Sequence, residues 1–366
     1  MTDTAKRLLI TGGGTGGHLF PALAVAAQWQ ERHGPGSVHF IGGTKGLENR
    51  LVPEAGYTLD SLTVGQLKGK GLSHKLLTVL GLLPAIWQAR TILKRYNPHV
   101  VLGVGGYASA PAMMAAKLLG IPMALHEQNA RAGLTNRLLS RLAGKVMVSF
   151  EGVCEQFEGK SCAFTGNPVR QSLTQVPDLV IPKTFSTERP FRILVFGGSQ
   201  GASIFSEMVP EALSPLAENG APIEVTQQVR GEDPQALQSR YATMGIQAVA
   251  SPFIEDMASA YAQADLVICR SGATSVAELA ATGRPAIMVP YPHAADDHQA
   301  ANAAALSNHQ AGWLRRQEKL DVPWLQAFIT SLIMEPSQLK TTGNNARRQA
   351  RTEADRTIAD LLETMI

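Results

Sequence analysis

The chain has 366 residues, of which 45% are hydrophobic and 17% charged, with a formal net charge of +3 at pH 7. That apolar share can bury a core and excludes bulk disorder, and the length predicts two domains at about 150 residues each. No run of about 18 apolar residues predicts a spanning helix, and the first residues lack the apolar stretch of a signal peptide.

A buried strand over Arg7–Thr11 runs into the glycines at 12–17, and the spacing of Leu23, Ala26, Ala27 and Gln30 predicts a helix over Pro21–Arg32. Further apolar strands follow at Val38–Ile41, Val100–Val104, Met123–His126 and Val146–Ser149. Leu173–Pro190 holds Pro177, Pro182 and Pro190 with little periodicity and reads as a linker. The pattern then restarts with a strand at Phe191–Phe196, glycines at 197, 198 and 201, and strands at Ile223–Gln227, Leu266–Cys269 and Ala286–Val289. Asn345–Ile366 reads as a helix of mixed charge.

Short apolar strands alternating with helices predict an α/β fold with parallel sheets covered on both faces. The expected division is a first domain over 1–172, a linker over 173–190 and a second domain over 191–344, with the tail from about 345 packing back on the first. Both domains read as doubly wound and Rossmann-like, facing across a cleft, because ligands of such sheets bind outside the carboxyl ends of the strands. Cys154, Cys162 and Cys269 read as too few and too far apart for a disulfide framework or a zinc site, which fits a reducing cytosol.

Gly12 to Gly17 matches G-x-G-x-x-G between a strand and a helix. A dinucleotide site also needs an acid at the end of the second strand, and that strand ends Ile41-Gly42-Gly43-Thr44. The nicotinamide reading therefore weakens, but close backbone approach and a helix start still suit an anion. A tight turn would account for two or three of these glycines. His18 follows directly, and a neutral imidazole there is a candidate general base.

In the second half, Ser271-Gly272-Ala273-Thr274 opens a helix at the carboxyl end of a strand, with Gly283 as its C-cap. Glu278 lies one turn beyond Thr274, placed to accept hydrogen bonds from ribose hydroxyls. His293, Asp296, Asp297 and His298 invite a metal reading, but their spacing would need a contorted loop, and a loop running into a helix accounts for them.

The charge is uneven. Between Asp60 and Glu127 there is no acid, while Lys68, Lys70, Lys75, Arg90, Lys94, Arg95 and Lys117 give +7 against −4 for the rest. A basic zone on an otherwise acidic chain points to an anionic partner.

Seven motifs occur in order: GGGTGGH, GVGGYAS, LHEQN, GNPVR, GGSQGA, CRSGATSVAE and HQAANA. Together they resemble the MurG family of the GT-B superfamily, over nearly the whole chain. The resemblance implies an inverting transferase that moves GlcNAc from UDP-GlcNAc to the MurNAc 4-hydroxyl of undecaprenyl-diphosphate-MurNAc-pentapeptide, turning lipid I into lipid II. It implies donor contacts at Thr15, Gly16, Gly17, Asn129, Arg170, Ser199, the backbone of Ile254, Ala273, Thr274, Ser275, Val276, Ala277, Glu278 and Gln299. Acceptor contacts would fall at Gly14, Thr15, Gly105, Gly106, Tyr107 and His126, with His18 as catalytic base and Glu127 second. Family members often carry Gln where this chain has His298. No cofactor, metal or nucleic acid is implied, and other cell-wall synthesis proteins are expected partners.

Since the acceptor's lipid tail stays in the bilayer, the chain is expected at the cytoplasmic face of the bacterial inner membrane as a peripheral protein. Leu76, Val79, Leu80, Leu83 and Trp87, edged by Lys68, Lys70 and Lys75, would dock on an anionic surface, with Gly81 and Pro84 interrupting the helical spacing. The competing reading is a UDP-GlcNAc 2-epimerase on the same fold, and a third is a nucleotide-sugar binding protein; neither needs the basic apolar zone.

Overall fold

The computed structural model describes residues 5–63, 72–106, 108–198 and 201–366, with the backbone alone over 72–81. In chain order the elements are β1 (Leu8–Gly12), α1 (Gly16–His33), β2 (Val38–Gly43), α2 (Glu48–Glu54), β3 (Thr58–Leu62), α3 (Leu72–Tyr96), β4 (Val100–Gly105), α4 (Ser109–Leu118), β5 (Met123–Glu127), α5 (Leu134–Leu139), β6 (Lys145–Val148) and β7 (Cys162–Phe164). Then come α6 (Gln171–Thr174), β8 (Phe191–Phe196), α7 (Ser203–Glu218), β9 (Ile223–Gln228), α8 (Pro234–Thr243), β10 (Gln247–Ser251), α9 (Met257–Gln263), β11 (Leu266–Cys269) and α10 (Ala273–Thr282). The chain closes with β12 (Ala286–Met288), α11 (His298–Ser307), β13 (Trp313–Leu314), α12 (Val322–Met334), α13 (Ser337–Arg348) and α14 (Ala354–Glu363). It divides into two units, Met1–Arg170 with Thr352–Ile366, and Gln171–Arg351.

In the first unit the strands form a parallel sheet in the order β3-β2-β1-β4-β5-β6-β7. Alternate side chains face opposite layers, as the period of a strand requires. Leu9, Ile41, Val101 and Leu125 pack with Ile86, Ala89 and Leu93 of α3, while Leu8, Ile10, Phe40 and Leu102 pack with Val25 and Trp29 of α1. Ile358, Ala359 and Leu362 of α14 join the second layer, which anchors the end of the chain on this unit. The strand order reverses between β1 and β4. The loops that follow these two strands therefore meet at one switch point, the place where open α/β sheets bind ligands.

The second unit repeats the plan with the parallel order β10-β9-β8-β11-β12-β13, its switch point lying between β8 and β11. Phe191, Ile193, Val195, Leu266, Ile268 and Ile287 build its core with apolar side chains of α7 and α12.

Several expectations are corrected. The helix α3 runs unbroken through Pro84. The tail is two helices, α13 and α14, rather than one. Residues 173–190, read as a linker, fall within the second unit, where Leu173 and Val176 are buried and the Arg284 guanidinium donates to the Pro177 carbonyl. Cys154 and Cys162 are joined in a disulfide, because the 3-10 turn at Val153–Gln156 returns the chain until their Cα atoms lie 5.6 Å apart. Cys269 is buried and free. No helix among the described residues is long and apolar enough to cross a membrane.

Candidate active site

At the first switch point the glycines after β1 lie against those after β4, with the Gly13 N–H donating to the Gly105 carbonyl at 3.3 Å. Gly105 needs its freedom: φ is +95°, and a Cβ there would stand 3.1 Å from the His18 ring. Gly14 and Thr15 are exposed at the turn, and α1 starts at Gly16 with the positive end of its dipole at the carboxyl edge of the sheet.

The acid sought at the end of β2 exists, but a few residues later and with another task. Glu48, buried at the start of α2, accepts the Gly14 N–H at 2.8 Å and the Gly43 N–H at 3.1 Å. A Cβ at Gly13 or Gly42 would approach it to 2.7 Å, so those glycines make room for the carboxylate. The Gly14 amide, expected at the acceptor, is thus already held by a side chain.

His18 is half-buried. Its Nδ1 lies 2.9 Å from Gln128 Oε1, and the Gln128 amide nitrogen lies 3.2 Å from Nδ1 of His126. His126 is 1% exposed, with Nε2 3.2 Å from the Gly166 carbonyl oxygen and 3.4 Å from Ser149 Oγ. Burial pushes its pKa down to about 4, the Gly166 carbonyl opposing the shift and His18 adding to it, so the ring is neutral at pH 7. His126, expected at the acceptor, therefore lies behind the surface rather than on it.

Glu127 is also 1% exposed. It accepts from the Asn129 N–H at 2.9 Å, the Gly133 N–H at 3.0 Å and the Asn136 amide at 2.8 Å, with the Asn129 amide at 3.3 Å. A carboxylate so occupied organises the loop over 128–133 and the start of α5, and is poorly placed to take a proton from a ligand. Arg170 stacks over Phe20 at 5.0 Å.

In the second unit α10 begins one residue after Gly272, an N-cap with no side-chain capping bond, and ends at Gly283 with φ of +62°. Its first turn opens at the carboxyl end of β11, a place for an anion. Ala273, Thr274 and Val276 are buried, so Val276 serves the core through its side chain, while Ser275 and Ala277 are half-buried. Glu278 is 6% exposed and accepts the Tyr261 hydroxyl at 3.1 Å, so it is a held carboxylate and not a solvated surface acid. Gln299 Oε1 accepts the Tyr291 N–H at 2.9 Å, and Ile254 is half-buried.

The residues suggested for a metal do not fit one. Asp297 pairs with Arg316 at 2.6 Å, and His298 Nδ1 donates to the Ala295 carbonyl at 2.7 Å. Among the described residues no group of three His, Cys, Asp or Glu converges.

Tyr107 and Ser199, expected at acceptor and donor, lie outside the described residues, as do Lys68 and Lys70. The side chains of Lys75, Leu76, Val79 and Leu80 also lie outside them. Leu83 and Trp87 are 48% and 65% exposed on α3, and Arg90 stacks on Trp87. Glu48, Gln128, Asn136 and Tyr261 are the residues that the sequence reading missed. The only local signal was the adjacency of Gln128 to Glu127; the other three act across 9 to 34 positions of sequence.

The chain is also similar to known proteins. The glycosyltransferase family 28 N-terminal domain matches residues 8–148 and the family 28 C-terminal domain matches residues 192–361. A UDP-N-acetylglucosamine–N-acetylmuramyl-(pentapeptide) pyrophosphoryl-undecaprenol N-acetylglucosamine transferase of Magnetococcus marinus is 70% identical over 366 residues, covering 100% of this chain and 99% of that one. Among solved structures, Acinetobacter baumannii MurG is 34% identical with a TM-score of 0.80, covering 98% of this chain and 100% of that one. A UDP-GlcNAc 2-epimerase from Neisseria meningitidis, bound to UDP-GlcNAc, covers 98% of this chain and 100% of its own at a TM-score of 0.65 and 12% identity, a likeness of fold alone.

Proposed function

The chain belongs to the MurG family of glycosyltransferases, with the two α/β domains of the GT-B fold, and on that premise we infer that it transfers GlcNAc from UDP-GlcNAc to the MurNAc 4-hydroxyl of undecaprenyl-diphosphate-MurNAc-pentapeptide. The observation that carries this reading is the 70% identity over the full length of both chains. The epimerase reading has only fold likeness behind it.

The chemistry follows from the bonds exchanged. The acceptor hydroxyl loses its proton to a base as its oxygen attacks the anomeric carbon from the side opposite UDP. The C1–O bond to the diphosphate breaks, and its electron pair leaves with UDP. His18 is the group for the proton, since Glu127 is saturated by N–H donors. The start of α10 answers the charge that grows on the diphosphate, with its helix dipole and first-turn amides. Glu278 holds the ribose hydroxyls, its carboxylate steadied by Tyr261. In the second unit Gln299 and Ile254 add donor contacts, and in the first the exposed turn at Gly14 and Thr15 meets the acceptor with Gly105 and Gly106.

The acceptor's tail is a lipid, so the protein works at a membrane surface, and α3 to α5 of the first unit offer the apolar contacts. Leu83 and Trp87 of α3, Leu118 of α4, and Leu134 and Leu138 of α5 are exposed. Arg90, Lys94, Lys117 and Arg137 lie on the same three helices. Apolar side chains edged by cations suit an anionic bilayer.

The test is UDP release with UDP-GlcNAc alone and with a lipid I analogue added. Release that depends on the analogue supports the reading, and formation of UDP-ManNAc without it would make the protein an epimerase. Replacing His18 by Ala should lower turnover by about 10²-fold while UDP-GlcNAc affinity stays nearly unchanged; a loss below about tenfold would make His18 structural.

A further inference from the structure

The ring of His18 ends a chain of polar contacts whose direction can be read from groups that cannot donate. Gly166 contributes only a carbonyl oxygen, so His126 must carry its proton on Nε2, 3.2 Å away, and must present a lone pair at Nδ1. Ser149 Oγ, at 3.4 Å, accepts from the same N–H. The amide end of Gln128 nearer His126 lies 3.2 Å from that lone pair and 3.3 Å from the His126 carbonyl oxygen. Both are acceptors, so this end is the NH2 group and the other is Oε1. A flipped amide would set oxygen against oxygen. Oε1 can only accept, and the atom 2.9 Å from it is Nδ1 of His18.

We propose that Gln128 is a positioning residue that fixes His18 as its Nδ1–H tautomer, leaving the Nε2 lone pair to take the acceptor's proton. This is the reverse of the tautomer that histidine favours free in water. The inference rests, for its functional half, on His18 being the base. Its structural half does not. Gln128 and His126 are both buried, which shields the chain of contacts from competing water. Among the described residues Nε2 of His18 has no hydrogen-bond partner, so the ring is held at one nitrogen and open at the other.

The experiment is nitrogen NMR of the full-length protein labelled at its histidine side chains, with the His18 signals identified by their loss in His18→Asn. In the neutral form, His18 is expected to be protonated at Nδ1. Gln128→Leu should erase that preference and lower kcat by about tenfold or more, with KM for UDP-GlcNAc nearly unchanged. Gln128→Glu, which still offers an acceptor to Nδ1, should restore the Nδ1–H signature. A wild-type His18 protonated at Nε2, or a tautomer indifferent to Gln128→Leu, overturns the inference; the wild-type spectrum decides this even if the leucine variant fails to fold. If the tautomer shifts in Gln128→Leu while kcat holds, the positioning stands and the assignment of His18 as base falls.

Discussion

The carboxylate of Glu48 accepts the N–H of Gly14 at 2.8 Å, so the first glycine loop is held in shape by an acid 34 positions further along the chain. The same carboxylate ties down Gly43 at the end of β2, which joins the loops after two adjacent strands. A buried anion with two backbone donors is worth more than a surface contact, because each bond is charge-assisted and shielded from water. Glu48→Ala should cost about 2–4 kcal/mol in denaturant unfolding and raise KM for the acceptor analogue more than KM for UDP-GlcNAc. Unchanged stability together with unchanged acceptor KM would remove Glu48 from the account.

Glu278→Ala should weaken UDP-GlcNAc binding by about 1.5–3 kcal/mol, the worth of a hydrogen bond to a charged group. Tyr261→Phe removes the hydroxyl that steadies this carboxylate and should give a smaller loss in the same direction. Titration calorimetry on both variants separates them from folding defects, and an unchanged UDP-GlcNAc affinity in Glu278→Ala contradicts the assignment.

Leu83 and Trp87 point away from the core, so replacing both by Ser should leave the fold intact. Co-sedimentation with anionic vesicles should fall in the double variant, and binding by the wild type should weaken as salt rises. Transfer to a short-chain soluble acceptor should persist. Binding that ignores both lipid charge and salt would contradict docking through this surface.

His126 makes the first unit acid-sensitive. Its folded pKa is about 4 against an ordinary 6.5, so the unfolded chain takes up a proton at higher pH than the folded one. The neutral ring therefore stabilises fully above about pH 6.5, and that contribution is lost as pH falls toward 4. The shift corresponds to roughly 3 kcal/mol. Unfolding free energies measured between pH 7 and 4 should show a shallower decline in His126→Gln than in the wild type. Equal slopes would contradict the burial argument.

The parts legible in the sequence are those written locally. Buried strands such as β1 and β11 are written as short, mainly apolar runs, β8 is apolar apart from Arg192, and the helix that ends at its cap Gly283 follows from capping chemistry. Edge strands were not legible: β3 is mostly half-exposed and mixed in composition, and β10 is an edge with little buried surface. At the site, the glycine loops and His18 stood out, whereas their supports did not. Glu48 reaches back from α2, Asn136 reaches Glu127 from α5, and Tyr261 reaches Glu278 from α9. Such pairings exist only once the switch points have been formed, so no spacing rule finds them. The Leu83 and Trp87 pattern was ambiguous for a related reason. The same helix buries Ile86, Ala89 and Leu93, and only packing tells which apolar face is left outside.

The central claim is inverting transfer to a lipid-linked sugar. The most direct measurement incubates the purified protein with UDP-GlcNAc labelled at the anomeric carbon and a lipid I analogue, and then determines the linkage of the labelled sugar by NMR. The account predicts a disaccharide in which GlcNAc is joined β to the MurNAc 4-hydroxyl, formed one for one with UDP. An α linkage, transfer to a different hydroxyl, or conversion of the donor without any transfer would contradict it.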